Sequence, residues 1–347
     1  MTPEKITRWA EEGQDVPVAL TLRQKLVSVE GPDAVIFPPT YAGHPPYVID
    51  TLADGTRVAL IDSVGSQANR MEPIFKEPPY AELVPQIIIK AGNHRPISIF
   101  EVGHRVADAL VRSSKPLSEE VSEVFQALAE GNAEPMAKLA PTSLVFGVWD
   151  SRGEGMKVPR LVNSVIRAFD VSELKRSAQY VPPLSPEEYA EVAGFKQEDL
   201  EKAAGDSKNP LAKAGFVHVP STNDPGGVIA HGGIYRNVAV NLVALRNLDG
   251  DDAEALRKYI LGLALVAATW PQDGFLRQGC QLVIDPEEPG HWQAVYRDGR
   301  REDIALSHED ALDFARQAAS TFGAGEDRQA EFDARLARKV LKQAKKA

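Results

Sequence analysis

The chain has 347 residues, 43% of them hydrophobic, and a single cysteine: enough apolar material for a buried core, and too little sulfur for an intramolecular disulfide or a cysteine-built zinc cage. Its formal charge of −10 argues, taken alone, against nucleic acid, whose phosphates are gripped by lysine and arginine with release of counterions. No apolar run approaches the roughly 20 residues of a membrane helix, and the opening residues lack the basic-then-apolar pattern of a signal peptide, so a cytoplasmic protein without a membrane partner is expected.

Residues 18–29 alternate in places and are rich in β-formers, which predicts a strand. Residues 47–61 read as a hairpin around Asp54-Gly55, a pair that tolerates positive φ. Asp62 or Ser63 then caps a short helix carrying Gln67, Asn69, Arg70 and Met71, which Pro73 stops. Ser98 and Glu101 form a capping box that predicts a helix with Val102, Val106, Ala109 and Leu110 on one face, leaving His104, Arg105 and Asp108 off it.

Further along, residues 119–128 are an amphipathic helix, residues 143–149 a buried strand, and Ser185-Pro186-Glu187-Glu188 a helix start. Residues 177–225, broken by Pro182-Pro183 and Asn209-Pro210, read as an insertion, as do residues 30–46. Residues 238–245 predict a strand with Asn241 inside it, and Asp251 with Glu254 caps a helix reaching Trp270. Residues 280–284 and 292–296 read as a closing strand pair, with Cys280 as a small core residue, and Ser307 with Asp310 caps a helix to Phe322. A polar helix over 327–346 ends in a cluster of cations that suits the negative end of its dipole, as a solvated tail or as an RNA contact. Strands and helices mix without strict alternation, so the class is α+β. The expected organisation is one domain over residues 1–325 and a basic tail over 326–347.

The chain has no G-x-x-x-x-G-K-[ST] loop, G-x-G-x-x-G turn, H-E-x-x-H pair or G-x-S-x-G elbow, and its seven histidines are scattered. Neither a catalytic group, a metal nor a cofactor is expected. The charge is unevenly spread. Between Arg152 and Arg176 stand six basic residues (Arg152, Lys157, Arg160, Arg167, Lys175, Arg176) against three acidic ones, while acid gathers in 119–134, 187–201 and 249–254. That pattern fits one basic groove on an acidic body.

Three segments concentrate polar side chains beyond what a core requires. Residues 63–72 crowd Ser66, Gln67, Asn69 and Arg70 at a helix start, where free N–H groups favour phosphate; a capped surface helix explains them as well. In residues 150–170, Arg160, Asn163 and Arg167 recur at helical spacing, but an extended segment would divide the basic side chains between faces, and both readings stay open. Residues 225–236 carry Gly226-Gly227 and Gly232-Gly233 before Arg236, either for close approach to a ligand or for a hairpin with bulges.

Taken in order, Ser66-Gln-Ala-Asn-Arg-Met-Glu72, Ser98-Ile-Phe-Glu-Val-Gly-His-Arg-Val-Ala-Asp108, Pro159-Arg-Leu-Val-Asn-Ser-Val-Ile-Arg-Ala-Phe-Asp170, Gly226-Gly-Val-Ile with Gly232-Gly-Ile-Tyr-Arg236, and Tyr259-Ile-Leu-Gly-Leu-Ala-Leu resemble the RAMP backbone subunit of type I-G (formerly I-U) CRISPR effector complexes. The likeness spans residues 18–270. It implies a modified RRM-like (ferredoxin-like) palm with inserted helical and hairpin elements. It also implies a non-catalytic role: several copies stack on one guide RNA, other subunits sit at the filament ends, and target DNA is reached through the guide. A thumb-like hairpin is implied too, in the glycine-rich segment or the insertion before it.

A subunit that leaves base edges free should grip phosphates and 2′-hydroxyls, without a stacking platform along the whole strand. Aromatics are only 7% of the chain, and the three segments hold just Phe169 and Tyr235. The expected RNA-binding residues are Ser66, Gln67, Asn69, Arg70, His104, Arg105, Arg152, Lys157, Arg160, Asn163, Arg167, Gly226, Gly227 and Arg236. Two other readings compete: an RNA-cleaving backbone subunit using Asp150 or Asp224, and an unrelated soluble enzyme.

Overall fold

The computed structural model describes residues 1–150 and 155–344. Ala19–Ser28 is the hub of a nine-stranded sheet. Its alternation sends Leu20, Leu22 and Leu26 inward and leaves Thr21, Arg23 and Lys25 on the other face, as the pleat of a strand requires. On one side it pairs with Ile234–Asn241, which pairs with Val162–Phe169; then come Arg57–Asp62 and Ile49–Thr51, all antiparallel. The last two strands are the expected hairpin, turning at Gly55 with φ +89°.

The other side of the hub is shared end to end. Trp292–Val295 pairs with Ala19–Leu22, and Cys280–Ile284 pairs with Leu26–Ser28. These segments are strands as expected, but they do not pair with each other: each folds back on its own partner, Arg301–Ile304 or Phe275–Arg277. Cys280 is buried.

The helix Ala253–Thr269 covers the inner face and packs on the helix His308–Phe322, whose start carries the expected Ser307–Asp310 capping box. Gly262 permits the close approach, since a Cβ there would sit 2.8 Å from the Ala315 Cα. The cap of Ala253–Thr269 is Asp252, whose side chain accepts the Ala255 N–H, rather than Asp251. A second sheet joins Ile87–Lys90, Ile97–Ser98, Ser114–Lys115 and Arg328–Phe332. The last of these occupies the start of the expected polar helix, which begins only at Ala334.

Three further local expectations are overturned. The Ser98–Glu101 capping box opens only a 3₁₀ turn: Val102 is extended and Arg105 takes φ +51°, so the pattern 98–110 breaks into two 3₁₀ turns and the helix Ala109–Arg112. Residues 142–146 are helical, and only Val148–Trp149 is a strand. Asn241 ends its strand, and its side chain caps the helix Leu242–Arg246 by accepting the Ala244 N–H.

From the end of Val162–Phe169 the chain leaves the sheet as a two-stranded ribbon, Val171–Tyr180 against Val219–Ala230. Three short helices fill its far end over residues 186–213, around a small core of their own formed by Leu200, Ala203 and Val217. The whole is α+β, an antiparallel curled sheet with inserted elements, consistent with an RRM-like palm. No described helix is long and apolar enough to cross a membrane.

Candidate nucleic-acid interface

The open face of the large sheet is built by register. Arg167 stands opposite Tyr235, and Tyr235 opposite Lys25; Val165 stands opposite Asn237, and Asn237 opposite Arg23. Directly opposed residues share a face, so these side chains form one polar field with Asn163 and Phe169. The Arg23 guanidinium lies over the Tyr235 ring at 4.1 Å and near Phe169 at 5.9 Å, and the two rings meet edge to face at 5.9 Å. Arg167 and Asn163 are exposed, and neither side chain has a partner among the described residues. Lys25 differs: the carboxylates of Glu288 at 2.7 Å and Asp285 at 3.3 Å hold its pKa up and neutralise its charge.

The segment 162–169 is therefore extended, not helical. Asn163 and Arg167 fall on one face because their spacing of four is a multiple of the strand period as well as near the helical one. Just before it, Lys157 and Arg160 line an open cleft of about 390 Å³ together with Asn69, His104 and Arg105. The helix Val64–Met71, started by Ser63 accepting the Ser66 N–H, supplies one wall. Gly147 lets the chain 158–160 press against it, for a Cβ there would meet the Val158 carbonyl at 2.8 Å. The Arg160 Nε donates to the Phe146 carbonyl at 3.0 Å, and burial together with the nearby Arg105 charge lowers its pKa. Lys157 sits 4.9 Å over the Trp149 ring, which is 56% exposed.

Other expected residues are tied into internal networks, Gln67, Arg105 and Arg236 buried and Ser66 and Arg70 half-buried. Arg105 forms the floor of the cleft, buried against Glu72 at 2.7 Å and donating to the Gly147 carbonyl at 3.1 Å. Asp62, fully buried, accepts from the Ser66 hydroxyl at 2.7 Å, the Gln67 amide at 2.7 Å, Arg70 Nε at 3.0 Å and Arg277 at 3.3 Å. Gln67 in turn accepts from the Ser164 hydroxyl, to which Arg236 Nε donates at 3.2 Å. Ser66, Gln67, Arg70 and Arg236 thus build a network beneath the sheet rather than a groove wall. Arg236 is inside by parity, because its neighbours Tyr235 and Asn237 face outward, and burial pulls its pKa down to about 10.

The freedom of Gly226 and Gly227 is used by the protein itself. A Cβ on Gly226 would lie 2.6 Å from the Lys175 backbone, and one on Gly227 would lie 2.6 Å from Val35, while the Gly227 N–H donates to the Tyr47 hydroxyl. Arg152 lies outside the described residues. Asp150 is buried in an ion pair with Arg112, and Asp224 accepts from the Ser221 hydroxyl. Sequence reasoning missed Arg23, Asn237 and Trp149. Arg23 was visible only as an outward position in an alternating strand, with nothing local to say what faced it.

Residues 20–173, which contain the hub strand from its second residue, the Asp62 hub, the cleft and the strand bearing Asn163 and Arg167, match the model of a family described as CRISPR-associated protein GSU0053. Among solved structures, one titled "CRISPR RNA-guided surveillance complex, pre-nicking" is similar over 93% of this chain and 99% of its own, at 11% identity and a TM-score of 0.36, too distant to assign fold or function. No curated protein matches. Over residues 20–173 the chain is thus similar to the CRISPR-associated protein GSU0053 family, which supports the kinship that its motif order implied at that level and not its subtype.

Proposed function

We propose that this protein is a non-catalytic guide-RNA-binding backbone subunit of a type I-G CRISPR effector complex, copies of which assemble along one RNA and present its bases to target DNA. The open sheet face carries the reading: Arg23, Arg167 and Asn237 lie around a single aromatic pair, Asn163 stands four residues further along the same face, and the chain 157–169 continues into the Lys157–Arg160 cleft. Arginine and amide donors suit phosphate and ribose oxygens, which carry no sequence information. One ring pair can stack a base locally without occupying the whole strand.

The ribbon springs from the sheet beside Phe169 and Tyr235, where a thumb would meet the RNA near that ring pair. Its far end, residues 186–213, carries more acid (Glu187, Glu188, Glu191, Glu198, Asp199 and Glu201 among it) than base (Lys196, Lys202, Lys208 and Lys213), a balance that disfavours phosphate and suits protein: another copy or another subunit.

The test is purification from cells expressing a CRISPR array and the partner subunits. The reading expects a discrete small RNA on a denaturing gel, with a raised absorbance ratio, and no periodic cuts in complementary RNA with Mg²⁺. A chain that purifies free of RNA and takes none up would refute it.

A further inference from the structure

On the face of the sheet opposite the candidate interface lies a cavity of about 400 Å³, within the size range of small-molecule sites. Leu22, Leu26, Leu282, Trp292 and Leu306 make its wall largely apolar. Into it reaches Arg236, only 7% exposed. Its Nε donates to Ser164 and its Nη2 reaches the Ala268 carbonyl at 3.4 Å, both neutral groups, while Nη1 has no partner among the described residues.

A buried charge is ordinarily paired, because leaving it without a counterion forfeits its hydration for nothing. The nearby carboxylates do not fill that role. Asp62 is committed to Arg70 and Arg277, and Asp273, at the cavity rim, accepts the Phe275 N–H without forming an ion pair with Arg236. His308, the other titratable group on the wall, has both ring nitrogens engaged by the Tyr80 and Thr269 hydroxyls at 2.8 and 3.0 Å.

We infer that this cavity binds a small monocarboxylate with an apolar body, its carboxylate on Arg236 and its hydrocarbon or aromatic part against Leu22, Leu26, Leu282 and Trp292. Guanidinium and carboxylate match in charge and in planar hydrogen-bond geometry, and the apolar wall receives the remainder. The inference is independent of RNA binding, since it concerns the other face of the sheet.

Trp270 and Trp292 line the cavity, so tryptophan fluorescence of the full chain reports on it. Titration with sodium octanoate should give a saturable change, with octanamide, its neutral counterpart, binding at least tenfold more weakly. Arg236→Met should abolish that preference. No saturable response to octanoate, or octanamide binding as tightly, would overturn the inference in the native protein alone, whether or not the variant folds. Undiminished octanoate affinity in a folded Arg236→Met variant would do the same.

Discussion

Replacing Arg167 with alanine removes one of four cations at the candidate interface that form no salt bridge among the described residues: Arg23, Arg167, Lys157 and Arg160. Each phosphate neutralised on a single strand contributes about −0.7 to the slope of log K against log salt. Four contacts per copy give a slope of about −2.8, and three about −2.1. Between 50 and 200 mM salt the native chain should therefore lose roughly 50-fold in affinity and the variant roughly 20-fold.

Fluorescence anisotropy with two labelled single-stranded RNAs of unrelated sequence measures this directly, and both should respond alike. Two controls come from the same geometry. Arg236→Met should leave the slope unchanged because that guanidinium is on the other face, and Lys25→Ala should change it little because Glu288 and Asp285 already neutralise the ammonium. An unchanged slope in Arg167→Ala, or a loss confined to one RNA sequence, would refute the reasoning.

Asp62→Ala should destabilise the fold by about 3 kcal/mol in urea unfolding, the low end for stripping a buried charge from its partners, since Arg70 and Arg277 are partly solvated. A loss under about 1 kcal/mol would contradict the hub assigned to it. Burial lowers the His308 pKa below its ordinary 6.5, so the unfolded chain takes up a proton there before the folded one does. Stability from the neutral ring is present above pH 6.5 and is lost as pH falls through the lower folded value. The Tm advantage of the native chain over His308→Gln should accordingly shrink from pH 7.5 to pH 5, and a constant difference would contradict it.

Features set by neighbouring residues were legible in the sequence. The hairpin at Asp54-Gly55, the Ser63 cap and the Ser185 and Ser307 capping boxes appear where expected, because each depends on contacts three or four residues apart. The Ser98 box is also present, yet the helix it should open is cut short, since Arg105 turns to positive φ to reach Glu72 and Gly147 inside the core. Residues 163 and 167 share a face in a helix as well as in a strand. Pairing with Arg57–Asp62 and Ile234–Asn241 decides the matter, and that information is over 60 residues away in the chain.

Arg236 shows the limit most sharply. Its composition suggested a groove, but a shift of one residue in a strand exchanges faces, so Tyr235 faces the open side and Arg236 the interior. For the same reason Arg23, Tyr235 and Arg167, far apart in sequence, formed a site that only the sheet register could reveal.

The proposed function places RNA along the open sheet face. Photocrosslinking of the purified protein to 4-thiouridine-substituted RNA, followed by mass spectrometry of the attached peptides, tests it most directly. Adducts are predicted in residues 19–28, 157–169 and 234–241, centred on Tyr235 and Phe169. Adducts confined to the helical end of the ribbon or to the cavity face beneath the sheet would contradict it.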